Sequence, residues 1–244
     1  MANASRRERL RAAQEAERRR RRVRTFAAVG VGVGAIAAIV VMIVMSMGGA
    51  PQVASRPPNA TAASDGIVVN PGKAAQGAPV VTLYLDYQCS HCVEFEEKFG
   101  LTLDDLAGKG EIQLVNSTKV FLDRGNNDGL SHKGAIAAAC SDSAGVYSAY
   151  HQGIFAAAAN GPYTDELFRV QLPQRTGITG DTLTAFQTCY DTRATLGWVN
   201  GVEEASAKAG VNETPTMKIN GKTIDLSTLP SDVSQLSTFI KDNA

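Results

Sequence analysis

At 244 residues, 44% of them hydrophobic and 20% charged, the chain has room for one well-buried domain or two small ones and no more. Its formal net charge of zero, 24 basic against 24 acidic side chains, conceals a strong segregation. Ten arginines and three glutamates fall within residues 1–24, so this end carries +7 and the remainder −7, which sets the basic segment apart.

Phe26 to Met45 is an uncharged run of 20 residues rich in Ala, Val, Ile and Gly. At about 1.5 Å per residue, such a run spans the roughly 30 Å hydrocarbon layer, and a helix pairs all its backbone groups inside lipid. Arginines crowd its N-terminal side, so the positive-inside bias places residues 1–25 in the cytoplasm and the chain after the span outside. A cleaved signal peptide is the rival reading. Its apolar region is normally about 7–15 residues, and Pro51 directly after Gly48-Gly49-Ala50 makes a poor cleavage site. Beside a span, the arginines suit anionic lipid better than nucleic acid. Gly30 and Gly34 give only a weak helix-pairing spacing, so a monomer is expected. The layout is therefore a basic cytoplasmic segment at 1–25, a transmembrane anchor at 26–47, a polar linker at 48–64 and an exported domain at 65–244.

Within that domain, Ile67-Val68-Val69 reads as a short edge strand, and Pro79 to Asp86 is β-branched and apolar, the pattern of a buried central strand. A helix follows from Cys89, with Glu94, Glu96 and Glu97 on its outer side, and Glu111 to Val120 gives a second buried strand. This strand–helix–strand order predicts a parallel pair. Ala-rich helical stretches come next, near 131–142, 144–158, 163–172, 181–191 and 193–209. Strand character resumes at Thr214 to Ile219, turns at Asn220-Gly221, returns through Ile224, and a last helix occupies about 231–242. The fold class is α/β with a helical insertion at about 130–209, preceded by one transmembrane helix.

Cys89-Ser90-His91-Cys92 carries the chemistry. A zinc site needs four ligands, and no second such cysteine pair exists, while His132 and His151 lack a ligand spacing; no metal and no cofactor is expected. Cys89 follows a buried strand and opens a helix, whose N–H groups and dipole favour an attacking thiolate there, with Cys92 one turn inside as the resolving thiol. His91 between them adds a stabilising imidazole. A stabilised thiolate makes the disulfide a stronger electron acceptor. A structural disulfide without turnover is the bland alternative.

With strand, cysteine pair, helix and Thr214-Pro215 in place, the chain resembles the DsbA-like branch of the thioredoxin superfamily over about residues 65–243. The resemblance rests on Tyr84 to Cys92, Ala135 to Cys140, Phe186 to Cys189 and Gly210 to Gly221. It implies oxidation of cysteines in newly exported proteins, a transient mixed disulfide on Cys89, and reoxidation by a membrane partner. It also implies that Pro215 packs beside the cysteines, with the exposed backbone of Thr214 pairing to an extended substrate. This branch often carries proline where Ser90 stands, which leaves the oxidising strength open. A reductase or isomerase of the same fold, or a non-catalytic substrate-binding module, are the competing functions.

Cys140 and Cys189 both fall in the helical block. In an oxidising compartment they are expected to form a structural bridge, with a redox relay as the alternative. Asp86 is read two ways, as a buried proton acceptor for Cys92 or as a strand-end residue satisfied by local backbone. Asp123 to Gly129 lacks calcium-loop spacing and reads as a turn, and His132 and His151 as surface or capping residues.

Overall fold

The computed structural model describes residues 55–159 and 161–244; the expected span, its basic flank and most of the linker lie outside them. No helix of the described residues is long and apolar enough to cross a membrane. Five strands form one sheet: β1 (Ile67–Val68), β2 (Val80–Leu85), β3 (Gln113–Thr118), β4 (Thr216–Ile219) and β5 (Lys222–Ile224), in the order β1-β3-β2-β4-β5. The β-branched run predicted as central is indeed central. β2 pairs in parallel with β3 from Val80↔Gln113 to Leu85↔Thr118 and antiparallel with β4 from Val81↔Ile219 to Tyr84↔Thr216. Val81, Leu83 and Leu85 are buried on one face of β2, and Tyr84 is buried on the other beside half-buried Val80 and Thr82. Asn220 and Gly221 both take positive φ, which supplies the tight turn between β4 and β5.

After β2 the chain enters α1 (Ser90–Phe95), a π-helical turn (Glu96–Gly100) and α2 (Leu101–Gly108). Glu96 was expected on the outer side of this helix; it is buried instead. The wider turn folds its carboxylate back over Gly100, where any Cβ would collide with it, and Gln152 donates to it at 3.1 Å. Between β3 and β4 lies the helical block: α3 (Leu130–Ser143), α4 (Tyr147–Ala158), α5 (Leu172–Arg175), α6 (Gly180–Asp191) and α7 (Leu196–Lys208). Nearly every residue of α3 from Ser131 to Asp142 is buried, which explains why its Ala-rich sequence shows no polar face. The helix expected over 163–172 is instead a π-helical stretch (Leu167–Gln171) running into α5. Pro173 lacks the N–H that Arg169 O would accept in a regular helix, and the Gln187 side chain supplies that bond at 3.3 Å. The chain ends in α8 (Leu236–Asp242).

The described part of the expected linker, residues 55–64, is not a free tether. Ser55 N–H donates to Ala194 O at 2.9 Å, and Asn59 donates both its backbone N–H and its side-chain amide to Asp142 at 2.8 Å. Ala60 bridges Ile67 at the sheet edge. Asp142 lies in α3, far along the chain, so local sequence gives no sign of this strap. Replacing Asp142 with alanine strands two donors and should cost about 2 kcal/mol. Limited proteolysis between residues 55 and 64 checks this, with cleavage expected to quicken at a temperature where the unaltered chain resists.

Candidate functional site

β2 delivers Asp86, Tyr87, Gln88 and Cys89 at its C-terminal end. Asp86 O accepts the Cys89 N–H at 3.0 Å, and Cys89 O accepts from Cys92 N and Val93 N, so the strand bends into α1 within one turn. Cys89 sits at the N-cap with extended backbone, and the α1 N–H groups make no hydrogen bond to its sulfur. Its Sγ instead meets the Thr214 carbonyl oxygen at 3.4 Å. The Thr214-Pro215 bond is cis, and Thr214 lies just before β4, the antiparallel neighbour of β2. Residues 125 positions apart in sequence thus meet at the sulfur.

Both cysteines of the pair are free thiols and their environments differ. Cys89 is partly exposed, whereas Cys92 is fully buried. Burial, reinforced by negative charge on Cys89, pushes the Cys92 thiol far above its ordinary range. Such an arrangement presents one sulfur to a partner and keeps the other as a thiol in apolar surroundings. His91 is expected to stabilise the Cys89 thiolate. It is exposed, with Nδ1 3.4 Å from Glu94 Oε2. Ser90 is exposed at the first turn, on the wall of an open cavity of about 500 Å³ that runs beside α1. Tyr87, Val93, Leu130, Pro162 and Tyr163 give that cavity apolar walls, and Glu94 and Glu97 stand at its edge.

Asp86 is fully buried. Its Oδ1 accepts from Ser131 Oγ at 2.6 Å and Gln88 N at 3.0 Å, and its Oδ2 from Leu122 N at 3.4 Å. Burial raises its pKa to about 6; the hydrogen bonds from Ser131, Gln88 and Leu122 oppose the shift, and the Asp123 charge adds to it. Tyr163, whose hydroxyl donates to the Tyr87 and Ile154 carbonyls, is pushed upward by burial and by charge on both Asp86 and Cys92. Carboxyl and inner thiol therefore share one buried neighbourhood. Of the two readings of Asp86, the hydrogen bonds match the strand-end carboxyl satisfied by local groups.

Cys140 and Cys189 are bonded to each other, joining α3 to α6 across a sequence separation of 49. The expectation for His132 and His151 needs correcting: both are buried. His151 Nδ1 pairs with Tyr87 OH at 2.8 Å, and His132 Nδ1 with Asp123 Oδ2 at 2.7 Å. Asp123 is more than a turn residue, because its carboxylate accepts the N–H groups of Ser131 and His132 and so caps α3 from upstream. Glycine at 129 makes this possible, since a Cβ there would collide with the Asp123 carboxylate. Among the described residues no three His, Cys, Asp or Glu side chains are grouped so as to hold a metal ion.

The family model described as Thioredoxin matches residues 72–242. No curated protein matches the chain by sequence. Several solved structures share the fold. MdbA from Corynebacterium diphtheriae, described as a thiol-disulfide oxidoreductase, is 20% identical over 78% of this chain and 95% of its own, with a TM-score of 0.61. MdbA from Actinomyces oris, with the same description, is 20% identical over 76% and 92%, at 0.63. Oxidised DsbA from Mycobacterium tuberculosis is 23% identical over 73% and 92%, at 0.59.

Proposed function

The chain belongs to the thioredoxin family, and from that premise we propose that it is a membrane-anchored, extracytoplasmic thiol:disulfide oxidoreductase that introduces disulfide bonds into exported proteins. The observation that carries this reading is the asymmetry of the cysteine pair: Cys89 open at the strand–helix junction, Cys92 buried one turn behind it. In the oxidised state the two are joined. A substrate thiolate attacks Cys89 Sγ, a mixed disulfide forms, and Cys92 leaves as a thiolate that must be protonated. A second substrate thiolate then attacks the substrate sulfur of the mixed disulfide, releasing Cys89 and leaving a dithiol. Two electrons have passed from substrate to chain, and a membrane partner removes them to restore the Cys89–Cys92 bond.

Substrate arrives as an extended segment along the Thr214 backbone, with its flanking residues in the cavity beside α1. Asp86 acts as the proton reservoir for Cys92. The raised pKa makes it a carboxylic acid in part of the chains near neutral pH, able to give a proton to the departing thiolate and to recover one on reoxidation. The basic segment, the apolar run and the Cys140–Cys189 bridge support an exported, anchored location, since structural disulfides persist in oxidising compartments. Oxidising a reduced, unfolded client with the Cys89–Cys92 disulfide form tests the activity, with stoichiometric disulfide formation expected. The direction of the reaction is tested by the reduction potential: a value near about −120 mV fits an oxidant, and one near about −270 mV overturns the oxidase in favour of a reductase.

Asp86 gives this reading a pH signature. Below its ordinary pKa of 3.8 the carboxyl is protonated whether the chain is folded or not. As pH rises through about 6, the unfolded chain ionises freely while the folded site resists, so stability falls. Asp86→Asn should therefore stabilise the chain at pH 7.5 by about 2 kcal/mol and flatten the slope between about pH 4 and 6. It should also slow disulfide transfer several-fold. Urea titrations across that range, beside transfer rates, check both parts.

A further inference from the structure

Asp123 and His132 lie outside the cysteine pair yet reach Asp86 and the residue before Cys89 through an unbroken run of hydrogen bonds. Their side chains are each 3% exposed. Asp123 Oδ2 accepts from His132 N at 2.8 Å and from its Nδ1 at 2.7 Å; Oδ1 accepts from Ser131 N at 3.3 Å and from Gln88 Nε2 at 2.6 Å. Four N–H groups therefore converge on this one carboxylate. On the far side of the ring, His132 Nε2 faces Asn200 Oδ1 at 3.1 Å. The Asn200 amide thus closes the far side of the ring that the Asp123 carboxylate holds on the near side.

The connection to the redox centre runs through Gln88, the residue before Cys89. Its Nε2 also meets Ser131 Oγ at 2.7 Å, Ser131 Oγ donates to Asp86 Oδ1, and the Gln88 N–H donates to that same oxygen. Asp123 and Asp86 are thus linked through the Gln88 side-chain amide and the Ser131 hydroxyl, with His132 on the side of Asp123. We propose that Asp123 and His132 are positioning residues of the redox centre: an ion pair that holds Gln88 in place and sets the charge balance in which Asp86 exchanges its proton with Cys92.

The inference rests on the reading of Cys89 and Cys92 as the redox pair. The other ionisable groups nearby do not compensate Asp86. Tyr163 neighbours both Asp86 and Cys92 and brings no positive charge. On the adjoining elements Lys119 is taken by Glu203 at 2.8 Å, Lys133 by Asp165 at 3.0 Å, and Arg124 is exposed. Asp123 is the repulsive neighbour and His132 the group that offsets it. Removing one or the other must therefore move Asp86 in opposite directions.

The experiment follows the Asp86 carboxyl by carbon-13 NMR in the full-length chain, labelled at aspartate and assigned with Asp86→Asn, alongside the pH profile of disulfide transfer. Asp123→Asn removes the repulsion, and the Asp86 midpoint should fall by about one pH unit. His132→Gln leaves Asp123 uncompensated, and the midpoint should rise by a similar amount. Loss of the α3 cap can unfold Asp123→Asn. Asn200→Leu, at the rim of the same network, then decides: it removes the Nε2 acceptor and should raise the midpoint by a smaller step. Shifts of the same sign in the two main variants, or no shift in Asn200→Leu and His132→Gln, overturn the proposal, because a purely structural role changes melting temperature without sorting by charge. The titration needs no turnover. Transfer surviving in Cys89→Ser would remove the redox reading, whereas unmoved midpoints with intact Cys89 chemistry would remove this inference alone.

Discussion

Replacing Cys89 with serine abolishes disulfide transfer, by more than about 10³-fold, because a hydroxyl neither forms the disulfide nor accepts electrons. The reference is the rate at which the unaltered chain oxidises a reduced client. Cys92→Ala behaves differently. Cys89 can still be captured by a substrate disulfide, but the inner thiol that would release it is gone, so a covalent adduct accumulates and is seen on non-reducing gels. The contrast follows from burial: Cys89 is partly exposed and Cys92 is not. Adducts forming equally well through Cys92 would contradict the assignment of roles. A Cys89→Ser chain that performs its cellular task undiminished would point to a binding module built on the same fold.

The second large effect concerns the other pair. Substituting both Cys140 and Cys189 by alanine opens a loop with a sequence separation of 49. In the chain-entropy description this costs about 4 kcal/mol. For a domain of this size, that lowers the melting temperature by roughly 10 °C, as calorimetry would measure. Cys140 is buried within α3, so the vacated volume adds to the loss. Below the transition, client oxidation should continue at nearly the unaltered rate. A variant that melts normally but no longer passes electrons would show the bridge to be a redox relay instead of a brace.

Much of this architecture was written in short-range pattern. The β-branched run through Val80 to Leu85 fixes the central strand, Asn220-Gly221 fixes the β4–β5 turn, and the cysteine pair stands where strand meets helix. These features depend on neighbours within a few positions, which is what sequence periodicity records. The charged interior was not legible. Asp123 reads as a turn acid and His132 as a capping residue, since the contacts that bury them come from Gln88 on one side and Asn200 on the other. Glu96 looked like a solvent-facing member of an acidic trio, and only the π-helical turn at Gly100 brings it inward. His91, read as a stabilising imidazole between the cysteines, is exposed beside Glu94, a neighbour its place in the motif does not reveal. The strap at residues 55–64 escaped notice because Asp142, its anchor point, lies 83 positions from Asn59.

The bond between Cys140 and Cys189 bears on how the molecule matures. A newly made copy holds four thiols, and two of them must lose their hydrogens before α3 and α6 are locked together. Under the proposed activity, the chain is thus a client of its own chemistry. The first copies in a new compartment need an outside acceptor, and later ones can be finished by their predecessors. The supply of working molecules then grows from a seed instead of appearing in step with synthesis.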